Sequence, residues 1–119
     1  MRREQRLRRS SDFTAVVKRG RSWSNRLLVL AMRPNGLEIS RFGFSVGKRV
    51  GTSVVRNKVK RRLRELVREV QSEDCCDLVF IARKDAGAAA YDELVASVDA
   101  LLVRAGLVKR AEPVNQPCK

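Results

Sequence analysis

The chain has 119 residues, 44% of them hydrophobic, which is enough for one modest domain and too few for two. It carries 26 basic and 13 acidic side chains, for a net charge of +13, and no histidine. The charge points to a polyanionic partner, and the missing histidine removes the usual residue for zinc sites and for acid–base chemistry near neutral pH.

No apolar run approaches the roughly 20 residues that cross a bilayer. The first arginines are not followed by an apolar signal segment, and Glu4 and Asp12 argue against a transit peptide. A cytoplasmic chain with no membrane attachment is expected. Cys75, Cys76 and Cys118 offer neither a disulfide framework nor metal-ligand spacing. The adjacent pair reads as reduced, partly buried small residues, with a redox switch as the alternative.

Residues 1–9 read as a basic arm with little to bury. Ser11 or Asp12 caps a short helix with Phe13, Val16 and Val17 on one face, stopped at Gly20. Strand character begins near Trp23 and continues in LLVLAM (27–32). Pro34-Asn35-Gly36 marks a turn, so residues 37–47 are predicted to return antiparallel to that strand. In this return Phe42, Phe44 and Val46 alternate with Gly43, Ser45 and Gly47, which puts large residues on one face and small ones on the other. The small face suits either a closely packed helix or the floor of a groove for an extended strand. Phe13 and Trp23 are each open to two readings, core packing or contact with a ligand.

Thr52 or Ser53 caps a helix over 53–70. The apolar run DLVFIA (77–82) has strand length and reads as a strand buried on both faces or flanked on both edges. Tyr91, Leu94, Val95, Val98, Leu101, Leu102 and Ala105 make a helical stripe closed by Gly106. The tail 109–119, with two prolines, is expected to be disordered. Residues 1–108 thus read as one α+β domain, a sandwich of one sheet with helices.

Charge is segregated along the chain. Residues 1–26 carry a net +7 and residues 48–68 a net +8, whereas residues 69–108 carry −5. A basic side and an acidic side are predicted. The basic maximum falls on a helix: six of the nine residues from Arg56 to Arg64 are Lys or Arg. At about 100° per residue, Val55, Val59, Leu63, Leu66, Val67 and Val70 form its core stripe. Arg56, Asn57, Lys60, Arg61, Arg64 and Arg68 lie beside that stripe without an acid among them. Lys58, Arg62, Glu65 and Glu69 form a mixed flank on which Glu65 is placed to offset Arg61.

Arg56/Lys60, Lys58/Arg62, Lys60/Arg64 and Arg64/Arg68 are like-charge pairs four residues apart, together unfavourable by about 1–2 kcal/mol before screening. A merely solvated face would alternate Glu with Lys. Phosphates set between the cations would relieve the repulsion. Arginine predominates, and its planar fork binds phosphate bidentately and stacks on bases. Lys48 and Arg49, just before the helix, are expected to extend the same basic surface rather than to form internal salt bridges.

These residues resemble a known family. RNKVKRRLR (56–64), preceded by GFSVGKRVGTSVV (43–55), is similar to the signature of the bacterial ribonuclease P protein subunit. SSDFTAVVKRG (10–20), SNRLLVLAM (24–32) and LVFIARKDA (78–86) agree, so that the resemblance spans about residues 7 to 106. It implies a two-layer sandwich of one four-stranded mixed sheet with three helices, ribosomal protein S5 domain 2-like, in α-β-β-β-α-β-α order. It also implies a left-handed crossover around the basic helix.

The implied partners are the ribonuclease P RNA subunit, which cuts the 5′ leader from precursor tRNA, and precursor tRNA itself. DNA and membrane are not expected. The implied Mg2+ is held mainly by RNA, and the protein lowers the demand for it. Arg56, Asn57, Lys60, Arg61 and Arg64, extended by Arg68, match the RNA-contacting motif. Phe13 matches an aromatic that lines the leader groove, with Val17, Ala31, Gly43, Ser45 and Gly47 as its other expected lining. Val17 and Ala31 stand where some members carry an aromatic and a tyrosine, which thins the stacking.

A protein nuclease would need a histidine pair or metal-binding carboxylates; the basic half offers only Glu4, Asp12, Glu38 and Glu65. The isolated chain is therefore expected to be inactive. The rival reading is a ribosomal or other structural RNA-binding protein with no catalytic complex. A DNA-binding helix-turn-helix fits poorly with apolar strands on both sides of the basic helix.

Overall fold

The run DLVFIA becomes the centre of the sheet. In the computed structural model the described residues are 6–7, 10–37, 39–68, 70–71 and 75–109. Their elements follow in the order α1 (Ser10–Arg19), β1 (Arg21–Ser24), β2 (Leu28–Pro34), β3 (Arg41–Val46), α2 (Ser53–Val67), β4 (Val70–Gln71), β5 (Cys76–Ala82), α3 (Tyr91–Arg104) and β6 (Val108–Lys109). Short 3-10 turns at Lys48–Val50 and Lys84–Gly87 precede α2 and α3. The sheet has the spatial order β1-β2-β5-β3, antiparallel except for the β3–β5 pair. The α+β sandwich of a four-stranded mixed sheet with three helices is as expected, and so is the order of its elements.

Strand alternation sorts the side chains between two faces. Leu28, Leu30, Phe42, Val46, Leu78 and Phe80 meet Val59, Leu63 and Val67 of α2 and Leu94, Val98 and Leu101 of α3 in the main core. Each large side chain fully buried there contributes about 1.5–3 kcal/mol. Phe44 stacks on Phe80 with ring centroids 6.2 Å apart. Ala31 and Val79 point to the opposite face, where Leu7 and Val16 close a smaller cluster with Phe13 and Ile81 packed against it. So α2 and α3 cover one face, and α1 covers part of the other.

Two connections differ from expectation. Residues 41–46 do run antiparallel to β2, but β5 lies between them, and β3 pairs in parallel with β5. The most apolar strand thereby gains hydrogen bonds along both edges, and the Asn35 N–H donates to the Cys75 carbonyl (3.2 Å), tying the β2–β3 loop to its start. The helix α2 ends at Val67, short of 70. The Arg68 N–H turns back to the Glu65 carbonyl, and Val70 pairs with Lys109 in a β4–β6 ribbon. Val70 still packs against the main core, from a strand and not from the helical stripe. The expected tail boundary falls inside this ribbon, and residues 110–119 lie outside the described residues.

The arm also has a fixed point. β3 is an edge strand with backbone groups to satisfy, and the Leu7 N–H donates to the Phe42 carbonyl at 2.8 Å while the Leu7 side chain is buried. Residues 1–5, 8 and 9 of the arm lie outside the described residues. The cysteines depart in part from the expected reduced set: Cys75 is disulfide-bonded, and Cys76 is a buried thiol. Neighbouring residues in extended chain point to opposite sides, which lets the two thiols have different fates.

Candidate nucleic-acid interface

The basic helix begins at Thr52, whose hydroxyl accepts from the Val55 N–H at 3.4 Å. Val59, Leu63, Leu66 and Val67 are buried and fix its rotation. Arg56, Lys60 and Arg64 consequently lie half-buried on one flank, and Asn57, Arg61 and Arg68 face solvent. On the other flank the Arg62 guanidinium sits 5.3 Å from the centroid of the Tyr91 ring of α3. That contact separates Arg62 from the row.

Among the described residues no carboxylate lies within ion-pair distance of Arg56, Lys60, Arg61 or Arg64. Arg56 donates from Nη2 to the Ser53 hydroxyl at 3.2 Å, which holds it along the helix. Glu65, expected to offset Arg61, instead pairs with Arg68 at 3.0 Å. The reason is local: Arg68 is the C-cap, where the last turn tightens and brings its side chain back over Glu65. Both partners are more than half exposed, so the pair contributes little to stability. It does leave Arg68 partly neutralised. Lys48 and Arg49 are exposed in the turn before α2, and that turn is held by buried Val50. A Cβ on Gly87 would collide with the Val50 carbonyl, so only glycine lets the Lys84–Gly87 turn approach this closely.

The other face of the sheet is best described by its register. Ser22, Ala31, Val79 and Gly43 stand side by side in one row across the four strands, and Ser24, Val29, Ile81 and Ser45 in the next. The helix α1 lies over the first row. Phe13 covers Gly43, and Val16 meets Ala31 and Val79. The second row is left open, with Ser24 and Ser45 exposed and Val29 and Ile81 half-buried.

The small-residue face is divided by position. Gly43 seats a side chain of α1, whereas Ser45 and Gly47 remain exposed. Ala31 is 1% exposed, packed beneath α1 with Val16 and Val79, so it is not open to a ligand as expected. Val17, expected on the helix's packed face, is 45% exposed on the edge of α1 that overlooks the open row. Phe13 is half-buried, and Trp23 packs against the main core with the Arg21 guanidinium 5.1 Å from its ring centroid.

An ionic network missed from the sequence borders α1. Arg41 donates from Nε to Asp77 Oδ1 (2.8 Å) and from Nη2 to Asp77 Oδ2 (2.7 Å), and its Nη1 lies 3.9 Å from Asp12 of α1. Asn35 Nδ2 donates to the same Asp77 Oδ1 at 2.9 Å. The hydrogen bond to Asp77 holds the Arg41 guanidinium above its ordinary value; desolvation opposes it, and the charges of Asp77 and Asp12 reinforce it. The only sequence signal was an acid interrupting an apolar strand. Its partner 36 residues away could not be read from spacing.

Beyond the open row the sheet ends at a polar cavity of about 270 Å3 lined by Asn25, Arg26, Arg83, Lys84 and Asp85. Two of its cations are engaged: Arg26 with Glu93 at 3.0 Å, and Arg83 with the Asn25 carbonyl at 3.2 Å. Among the described residues no three His, Cys, Asp or Glu side chains cluster to hold a metal, and no helix is long and apolar enough to cross a membrane.

The family model for ribonuclease P matches residues 1–106. The chain belongs to the ribonuclease P protein family. The ribonuclease P protein component of Clostridium kluyveri is 45% identical over 108 residues, covering 87% of this chain and 96% of that relative. That of Roseiflexus castenholzii is 46% identical over 114 residues, covering 93% of each. Among solved structures, a Staphylococcus aureus RNase P protein matches with a TM-score of 0.78 at 30% identity, covering 85% of this chain and 94% of that one. The RNase P protein from Thermotoga maritima matches with a TM-score of 0.73 at 32% identity, covering 83% and 96%. As a ribonuclease P protein the chain is a component of an endoribonuclease that processes tRNA, and its partner is RNA. A structural RNA-binding protein with no catalytic complex is the less supported reading.

Proposed function

We propose that residues 1–108 act as one RNA-binding unit in the cytoplasm, joining the RNA subunit of ribonuclease P to the 5′ leader of precursor tRNA. The observation that carries this reading is the row Arg56, Lys60, Arg61 and Arg64, four cations without a carboxylate partner among the described residues, beside a seam that fixes their direction. Asn57, within the row, supplies a donor and an acceptor for a base edge or sugar. Arg68, Lys48 and Arg49 extend the row at its two ends. These side chains bind the RNA subunit by phosphate contacts, which displace counterions and make affinity fall with salt.

The leader lies along the open row Ser24–Val29–Ile81–Ser45, with Phe13 and Val17 as its wall and Gly47 at its margin. A base stacked on Phe13 is worth about 1–3 kcal/mol. Val17 offers only apolar contact where an aromatic would stack, so leader grip rests on fewer bases. Catalysis belongs to the RNA subunit. Magnesium is held mainly by RNA, and the protein's cations lower the amount required by screening phosphate repulsion. The isolated chain does not cut RNA, and DNA and membranes are not its partners.

The test is reconstitution with the RNA subunit at low magnesium. Added chain is expected to raise cleavage of precursor tRNA. No gain at any magnesium concentration, or cleavage by RNA-free protein, would contradict the proposal.

A further inference from the structure

The helix α1 is lightly held for an element that forms a binding wall. Among its described side chains only Val16 is buried, at 1% exposure; Phe13 is half-buried, and Ser11, Thr14, Val17, Lys18 and Arg19 are exposed. A ten-residue helix is marginal by itself, so its position depends on what anchors it. The anchors are paired. Arg41 and Gly43 are alternate residues of β3 and share the face that α1 covers. Asp12 and Phe13 are consecutive on α1: Asp12 meets Arg41, and Phe13 meets Gly43.

Arg41 is oriented before Asp12 reaches it. Its fork is fixed bidentately by Asp77, which is 7% exposed and is itself held by Asn35. A cation already immobilised by the sheet loses little entropy on attracting a second carboxylate, unlike two long side chains meeting in solvent. About 100° per residue separates Asp12 from Phe13 and places Asp12 on the edge of α1 opposite Val17. The ionic contact therefore acts on the far side of the helix from the open row. Its loss would let α1 roll about its axis and carry Phe13 with it.

We propose that the Asp12–Arg41–Asp77 network is a positioning device for leader binding: it fixes the first turn of α1 so that Phe13 stays over Gly43 and the open row keeps its width. This role rests on the groove reading given above. Asp12 and Arg41 are positioning residues that do not touch RNA. With both its carboxylate partners in place, Arg41 also stays out of the phosphate-binding set.

The test uses the full chain in holoenzyme with the RNA subunit, comparing Asp12→Asn, Asp12→Glu and Phe13→Leu. Asn keeps the shape of Asp12 and removes its charge. Two readouts are taken. The Gly43 α-proton resonance, shifted by the Phe13 ring current, reports seating directly. Affinity for precursor tRNA with a long leader, against one cut back to a single nucleotide, reports the groove.

Asp12→Asn is expected to move the Gly43 resonance toward its position in Phe13→Leu. It is expected to weaken long-leader binding about two- to fivefold while short-leader binding is unchanged, and Asp12→Glu is expected to restore both. An unmoved Gly43 resonance in Asp12→Asn would overturn the positioning role. So would equal losses for both leaders, which mark a general structural effect. If Phe13→Leu moves the resonance yet leaves leader discrimination intact, the groove reading itself falls, and the role in leader binding with it.

Discussion

Phe13 lies on Gly43 so closely that a Cβ at Gly43 would stand 2.5 Å from Cζ of the ring. The glycine is thus a seat, and its effect is felt on another element. Gly43→Ala is expected to push Phe13 and the first turn of α1 off the sheet, at a cost of about 1–3 kcal/mol for overpacking. A urea denaturation midpoint checks the stability. Leader affinity should fall together with it, and Phe13→Leu in the same chain should recover much of the stability by removing the clash.

Glu65 pairs with Arg68 and with no other cation in the row. Removing the acid should free Arg68 for phosphate and lower local negative charge. Glu65→Gln is expected to tighten binding of the RNA subunit by a few-fold at low salt and to steepen its salt dependence, with stability changed by less than about 0.5 kcal/mol. Titrations at several salt concentrations measure both. Weaker binding would mean that the pair positions Arg68 for its contact.

Asn25 is a hub outside the candidate sites. Its Oδ1 accepts from the Leu27 N–H (3.1 Å), the Leu28 N–H (3.0 Å) and the Ser97 hydroxyl (2.7 Å), and its Nδ2 donates to the Ser97 carbonyl (3.0 Å). It ties the β1–β2 turn to α3. Asn25→Ala leaves several partly buried partners unsatisfied and is expected to destabilise by about 2–4 kcal/mol. Asn25→Asp should lose less, since the three accepted bonds survive. A thermal or urea melt distinguishes the two variants.

Stability should vary little with pH near neutrality. The folded-state guanidinium of Arg41 is raised above its ordinary value, so its contribution is fully present below the unfolded-state value and is lost only as pH climbs through the folded one. That window is strongly alkaline. With no histidine in the chain, urea midpoints at about pH 6, 7 and 8 are expected to agree. A marked loss across this range would show that another group titrates on folding.

The sequence made the main core legible because periodicity carries it. Val59, Leu63, Leu66 and Val67 repeat at helical spacing, and Phe42, Phe44 and Val46 alternate, and both sets pack where that pattern places them. Local chemistry was equally readable at Thr52 and at Gly106, whose φ of 77° ends the last turn of α3. Pairings between distant segments were not. Nothing local shows that β5 enters between β2 and β3, or that Asp77 answers Arg41, because both depend on contacts across more than thirty residues. Ala31 illustrates the same limit at the site: its strand position was right, yet its cover depends on where α1 lands. The basic row was legible because charge, unlike contact, is written in the residues themselves.

The proposed contact of Arg61 and its neighbours on α2 with RNA has a built-in control in Arg62. Arg61 is exposed on the row, whereas Arg62 lies against the Tyr91 ring. The deciding measurement is the slope of log affinity for the RNA subunit against log salt concentration, in Arg61→Ala and Arg62→Ala. Arg61→Ala is expected to make the slope shallower by about 0.7–0.9, the loss of one phosphate contact, and Arg62→Ala to leave it nearly unchanged. An unaltered slope in a folded Arg61→Ala chain, or an equal change in both variants, would contradict it.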